Sequence, residues 1–249
     1  MRKIGLYVLF ISAICFWCIG SAYSSTAFNT MSGIITDNGS GPATTLTDVY
    51  EASYGAAWIQ STNPAGSGGY AIIGQPLLDL QQGSTSWEGY GMCVDTAHWL
   101  YLGAPHADYH VYDWATAYAQ GKTGTIQSTS DWDRLTYMWS TSSVTSNLDR
   151  AALQVASWEG AADQWNIPAG SNWSGANLQI TGLDPAVYTR ASQYIAASAN
   201  YTDAFANNYR LLNGDSQTFA TAVPEPATLF GAFGLLSSAG LFLKRRKLA

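Results

Sequence analysis

The sequence predicts an α+β protein, a single domain that is β-rich in its first half and helical in its second. An N-terminal signal helix and a C-terminal transmembrane helix are expected to flank it. Apolar and polar residues alternate in several short runs before residue 115, as they do in half-buried strands. From residue 130 onward, capping residues precede apolar residues at helical spacing. With 249 residues and two terminal segments to subtract, one domain of ordinary size is expected.

Composition and charge indicate an extracellular protein. Hydrophobic residues make up 47% of the chain and charged residues only 11%, which is unusual for a cytoplasmic enzyme. Six of the eleven basic residues lie in the terminal segments, and residues 28–222 carry five basic against sixteen acidic residues. An acidic surface repels phosphate backbones, so nucleic acid is not expected as a partner.

The N-terminus is typical of a secretory signal. Arg2 and Lys3 precede an apolar run over residues 4–19, and small residues follow it. Residues 1–27 are therefore predicted to be a signal peptide, cut after Ala22 or after Ala27. Export is the consequence, and the two cysteines within the signal are lost with it.

The first half of the chain reads as strands and turns. Extended segments are predicted at residues 31–36, 49–59, 70–80, 87–102 and 108–114. The run over residues 49–59 also fits a helix, but Gly55 favours a strand. Pro76 is expected to interrupt the third segment.

Three helices are predicted in the second half. Ser130 and Asp133 have the spacing of a capping box, as do Ser146 and Asp149. The helix after Ser146 is expected to be short and amphipathic and to end at Gly160. The remaining residues on which the helices depend are Trp132, Leu135 and Trp139 in the first, Leu148, Ala151, Ala152 and Val155 in the second, and Asp184, Pro185, Val187, Ala191, Tyr194, Ile195 and Ser198 in the third.

The C-terminal segment, residues 223–249, has three parts in a fixed order. Pro224, Glu225 and Pro226 precede an apolar run over residues 227–243, and four basic residues follow. The run would span about 25 Å as a helix, enough for a bilayer core, with residues 28–222 outside. This segment resembles the PEP-CTERM sorting signal of Gram-negative bacteria. The resemblance implies recognition and removal by an exosortase and delivery to the surface, often beside exopolysaccharide; a permanent anchor is the alternative.

Cys93 is the one cysteine left after signal removal, so no intramolecular disulfide is open to it. Four explanations remain. The residue is buried and inert, forms an intermolecular disulfide, acts as a catalytic nucleophile, or forms another kind of cross-link.

Two short motifs favour the cross-link. Y-G-M-C-V-D around Cys93 and A-L-Q-V-A-S-W-E around Gln154 together resemble the thioester domain of bacterial surface proteins. In that family a cysteine bonds to the glutamine of a Thr-Gln-x-Ala-Ile-Trp motif and releases ammonia. The resemblance covers residues 31–222 of a predicted extracytoplasmic domain over residues 28–222, and it implies a Cys93–Gln154 thioester, with Ala156 and Trp158 at the matching positions. Leu153 and Ser157 depart from the motif.

The predicted function is covalent attachment at the cell surface or in a biofilm matrix. The thioester would acylate an amine or hydroxyl of an unknown surface, matrix or host partner once per chain, so the protein is not predicted to be an enzyme. Aromatic residues, chiefly Trp158 and Tyr90, with Trp87 and Trp99 as further candidates, are expected to keep water away. No cofactor or metal is predicted. Asp95 and Glu159 are interpreted as surface charges.

Two alternatives stay open. A transglutaminase-like or protease-like cysteine enzyme would use Cys93 with a histidine base, and His98, His106 and His110 are the candidates. His106 and His110 could hold zinc on a helix, but their segment alternates like a strand. The other alternative is a passive, exopolysaccharide-associated surface protein without a reactive site.

Overall fold

The computed structural model describes residues 28, 35–41, 43–61, 68–98, 105–163, 165, 173–174 and 177–223. Within Ser25–Val223, a compact unit, they form a mixed α/β single domain. The predicted signal peptide, the Pro224, Glu225 and Pro226 motif and the apolar run over residues 227–243 lie outside the described residues. In the part that is described, no helix is long and apolar enough to cross a membrane.

A long antiparallel hairpin begins the sheet. Strand β1 covers Thr44–Ser61 and β2 covers Gly69–Gln82. The strand prediction around Gly55 is therefore correct. Gly55 lies at a register shift and has a φ of 82°, a conformation that glycine adopts without strain. Pro76 does not interrupt β2 as expected. It lies opposite a second register shift, between the paired residues on either side, where its missing N–H breaks no ladder bond.

Six further strands complete the sheet: β3 Thr85–Cys93, β4 His106–Tyr112, β5 Trp173–Ser174, β6 Leu178–Thr181, β7 Tyr209–Asn213 and β8 Phe219–Ala222. The order of all eight strands is β2-β3-β8-β7-β4-β1-β6-β5. Because β1 also pairs with β2, the six strands from β2 to β1 in this order close a ring. The first half is β-rich as predicted. The last four strands were not predicted. They are short, and β8 is buried at three of its four positions, which hides the alternation typical of a half-buried strand. β6 does alternate, but over four residues only.

The described helices are α1 Trp114–Gln120, α2 Thr129–Thr141, α3 Asn147–Ala162 and α4 Pro185–Ala197, and two 3₁₀ turns follow at Ser198–Asn200 and Asp203–Asn208. α4 begins as predicted, with Asp184 capping it. α1 was not predicted. The capping pair of α2 was placed two residues too late: Ser128 is the cap and accepts from the Asp131 backbone N–H.

α3 lies in the interior of the domain. The predicted capping box of Ser146 and Asp149 is present. The expected amphipathic character is wrong, since every residue from Ala151 to Ala162 is buried, as in a helix enclosed on all sides. Gly160 does not end the helix either. A Cβ there would lie 2.5 Å from the Trp165 ring, so the glycine makes room for that indole.

Candidate functional site

Strand β3 brings Cys93 to the centre of the sheet. Cys93 is the last residue of β3 and pairs with Phe219 of β8. Gly91, two residues earlier, has no space for a side chain, because a Cβ would lie 2.3 Å from Leu78. Close packing on both sides of this strand end leaves Cys93 fully buried.

Helix α3 brings Gln154 to the same place. The Gln154 side chain is fully buried. Helix α3 is also bonded to Trp139 of α2, whose indole N–H donates to Ser157 Oγ at 2.8 Å. Ser157 Oγ in turn donates to Leu153 O. The two residues that depart from the thioester motif, Leu153 and Ser157, are thus both fully buried and linked to each other by this hydrogen bond.

The amide of Gln154 bonds to the backbone of Cys93 on both sides. The Cys93 N–H donates to Gln154 Oε1 at 3.0 Å, and Gln154 Nε2 donates to Cys93 O at 2.8 Å. These two bonds align the side-chain amide with the residue that carries the thiol. Cys93 and Gln154 are 61 positions apart in the sequence, and they meet in the interior of the domain.

The thiol of Cys93 is surrounded by weak donors and acceptors. Sγ donates to Asp95 O at 3.3 Å. Burial raises the pKa of the thiol to about 12, although the Trp158 indole, the Asp95 backbone and the Gln217 amide oppose this by lowering it. A free thiolate is therefore not the resting form at neutral pH.

The two predicted shielding residues, Trp158 and Tyr90, differ in burial and in their neighbours. Trp158 is almost fully buried; its indole N–H has no oxygen or nitrogen acceptor among the described residues and lies close enough to Sγ to lower the thiol pKa. Tyr90 is half-buried, and the Arg150 guanidinium stacks over its ring at 4.0 Å. Arg150 is one helical turn before Gln154. Trp87 packs against the core, and Trp99 lies outside the described residues.

Asp95 and Glu159 are not the surface charges that the sequence suggested. Asp95 is 2% exposed, and its carboxylate accepts from the Ala97 and His98 backbone N–H groups and bonds the His98 ring. Glu159 is fully buried, and neither of its carboxyl oxygens has a hydrogen-bond partner in the described part of the chain. The burial of Asp95 and of Glu159 depends on tertiary packing, so it could not be predicted from the residues next to them in the sequence.

The three histidines have different surroundings. His98 is 63% exposed at its side chain and bonds Asp95, whereas His110 bonds Asp37 and is largely buried. His106 and His110 lie on strand β4, as the alternation predicts. Within the described ranges no histidine bonds the Cys93 thiol, and no three His, Cys, Asp or Glu side chains come together as a metal site needs.

Comparisons with family models, with curated proteins and with solved structures give no match to this chain.

Proposed function

We propose that the chain is an exported surface protein that forms an internal thioester between Cys93 and Gln154 and uses it to acylate a nucleophile of a partner. The observation that supports it best is the pair of buried hydrogen bonds between the Gln154 amide and the Cys93 backbone. These bonds hold the amide beside the residue that carries the thiol, and holding two reacting groups together is what favours an intramolecular acyl transfer.

Bond formation would proceed by nucleophilic acyl substitution. Cys93 Sγ attacks the side-chain carbonyl carbon of Gln154, the carbon–nitrogen bond breaks, and ammonia leaves with the thiol proton. The Cys93 N–H already donates to Gln154 Oε1, so it would stabilise the negative charge that develops on that oxygen. No cofactor is needed for this balance.

Persistence of the bond would follow from burial. Cys93 and Gln154 are both fully buried, and exclusion of water slows hydrolysis of an acyl intermediate. A thiol whose pKa is about 12 is also a poor leaving group as a thiolate. The bond would therefore last until a nucleophile and a proton source reach it, and each chain would react once.

The cysteine-enzyme alternative has less support. A catalytic cysteine of that type needs a histidine or other base beside it, and among the described residues no histidine bonds the Cys93 thiol. Surface delivery through an exosortase rests on residues 1–27 and 223–249 and remains part of the proposal, as does transit through the inner membrane by way of residues 227–243.

The intact mass of the purified protein tests the proposal. Loss of ammonia lowers the mass by about 17 Da relative to the sequence, and Cys93→Ala or Gln154→Glu should abolish the deficit. Gln127→Ala is the matched control, because it removes another side-chain amide that bonds α3, at Ala162 O. A wild-type protein without the deficit would exclude the thioester and leave the passive surface protein.

Methylamine provides a second measurement on the same protein. It should replace the deficit by a methylamide on Gln154 and release the Cys93 thiol for alkylation in denaturant. Because the thiol is fully buried in the folded domain, alkylation without denaturant should stay slow. An alkylated Cys93 in untreated, denatured wild type would show that the bond never formed.

A further inference from the structure

One face of the β1–β2 hairpin carries large aromatic side chains that are exposed to solvent. We propose that this face, together with the cleft beside it, is a binding site for a neutral carbohydrate chain. Cys93 and Gln154 are fully buried, whereas the hairpin face is open to solvent, so the inference does not depend on the thioester.

Alternation along β1 separates this face from the core. Ala57 and Ile59 are buried in the core, and the alternate residues Ala56 and Trp58 are exposed. Residues that pair across an antiparallel sheet point to the same side, so the strand pairing adds neighbours from β2 and β6. The outer face defined in this way consists of Ala56, Trp58 and Gln60 of β1, Tyr70 and Ile72 of β2, and Gln179 and Thr181 of β6.

Two aromatic rings form the centre of the outer face. Tyr70 is 78% exposed and Trp58 is 37% exposed, and their ring centroids lie 5.4 Å apart with the rings nearly perpendicular. The Trp58 ring also packs on the backbone of Gly68, where a Cβ would lie 2.7 Å from it. The rings are therefore held in place before a ligand arrives, which lowers the entropy that binding costs.

The chemistry of the outer face matches that of a sugar. The C–H groups of a sugar ring carry small positive charges, and the face of an aromatic ring is negative. Sugar hydroxyls both donate and accept, as the side-chain amides of Gln60 and Gln179 do. These two residues pair directly across β1 and β6, and the hydroxyl-bearing Thr181 pairs with Trp58. Rings and hydrogen-bonding groups thus lie side by side on one flat surface.

A cleft of about 630 Å³ adjoins the outer face. Tyr54 and Gly55 line it from β1, and Gly182 and Asp184 line it from the turn before α4. A Cβ at either glycine would meet no atom within 4 Å, so the space beside both is empty. Ala56 lines the cleft and also belongs to the outer face. The volume is in the range of roughly 300–1,000 Å³ that small-molecule sites have.

Charge favours a neutral ligand over an anionic one. The seven residues of the outer face are all uncharged, and the one charged residue named in the cleft is the acidic Asp184. Residues 28–222 carry sixteen acidic against five basic residues, so an anionic polysaccharide would be repelled. A neutral glycan meets no such repulsion, and its hydroxyls can donate to the Asp184 carboxylate.

Isothermal titration calorimetry on the Cys93→Ala protein tests the proposal, because this background cannot form an acyl bond with a sugar hydroxyl. The probes are three neutral hexasaccharides: cellohexaose, mannohexaose and maltohexaose. We expect at least one to bind with a Kd on the order of 1 mM or tighter. Tyr70→Ala and Trp58→Ala should each weaken that binding about tenfold, because the two rings supply most of the apolar contact.

Tyr118→Ala is the matched control, because Tyr118 is an exposed tyrosine of α1 outside the outer face. It should leave the Kd unchanged. Tyr70→Ala removes a highly exposed side chain, so its melting temperature should equal that of the parent. Trp58→Phe keeps a ring beside Tyr70 and should retain most of the affinity, which distinguishes loss of the ring from loss of the fold.

Three results would overturn the proposal. The first is that none of the neutral hexasaccharides binds, or that Tyr70→Ala binds as tightly as its parent. The second is that hexagalacturonate, an anionic probe, binds as tightly as the neutral ones. The third is a dimer in sedimentation that Tyr70→Ala converts to a monomer, because the outer face would then be an interface between copies of the chain. The mass deficit of the wild type has no bearing on any of them.

Discussion

Glu159 makes the stability of the domain depend on pH in a direction that is unusual for a carboxylic acid. It is fully buried, and neither carboxyl oxygen has a hydrogen-bond partner among the described residues. Burial, together with the nearby negative charge of Asp163, raises its pKa from 4.5 to about 8. The folded domain therefore binds a proton that the unfolded chain releases above pH 4.5.

The sign and size follow from proton linkage. Between pH 4.5 and 8 the folded state holds more protons at this site than the unfolded state, so the free energy of unfolding falls as pH rises. The slope reaches about 1.4 kcal/mol per pH unit between the two pKa values, which gives about 3 kcal/mol between pH 4.5 and 7 and roughly 4 kcal/mol by pH 8. The stabilisation is complete below pH 4.5 and is lost as pH rises through 8.

Glu159→Gln removes the titration at nearly constant shape. The variant should match the parent at pH 5 within about 1 kcal/mol and exceed its stability by about 4 kcal/mol at pH 8 to 9. Urea unfolding followed by tryptophan fluorescence measures this. A Cys93→Ala background keeps hydrolysis of an acyl bond out of the comparison.

Two further variants sharpen the experiment. Glu88→Gln changes an exposed glutamate and should leave the pH profile unaltered. Asp163→Asn removes the negative neighbour of Glu159, so the alkaline loss should become smaller. Parallel profiles for Glu159→Gln and its parent across pH 5 to 9 would refute the assignment.

Two more substitutions test how α3 is held. Asp149 accepts from the Thr145 backbone N–H at 3.0 Å, from Ser146 Oγ at 2.9 Å and from Arg190 Nε at 2.8 Å, and these bonds hold its pKa well below the usual range. Asp149→Asn should therefore cost about 2–3 kcal/mol near neutral pH, and the difference should shrink as pH falls below about 4. An unchanged urea midpoint at pH 7 would contradict this. Gly160→Ala would drive a Cβ into the Trp165 ring. Although alanine has the better helix propensity, we expect the free energy of unfolding to fall by about 1–2 kcal/mol, measured by thermal unfolding. A raised melting temperature would show that the ring moves aside.

The proximity of Cys93 and Gln154 could be predicted because their signals are local. A single cysteine in a chain that is predicted to be exported needs an explanation, and the capping box before Gln154 fixes the phase of its helix. The resemblance of two short motifs then pairs them. The structure places them in hydrogen-bond contact, while the covalent bond stays a prediction.

The Asp95–His98 pair could not be predicted in the same way. Its geometry depends on a turn in which one carboxylate oxygen accepts from two successive backbone N–H groups, and no hydrophobic period marks such a turn. The burial of Asp95 comes from neighbouring segments that are distant in sequence. One example is Gln217, whose amide bonds the Asp95 backbone from just before β8, a strand too short and too evenly buried to be recognised in advance.

The burial of Glu159 has the same origin as the burial of Gln154. A helix that exposed one face would have left its polar side chains in water, but α3 is enclosed on all sides from Ala151 to Ala162. Enclosure keeps Gln154 dry, which an acyl bond requires, and it also removes Glu159 from water five residues later. The stability lost at Glu159 near neutral pH would then be a consequence of burying the amide of the proposed thioester. A stabilised Glu159→Gln variant that still shows the mass deficit would separate the two effects experimentally.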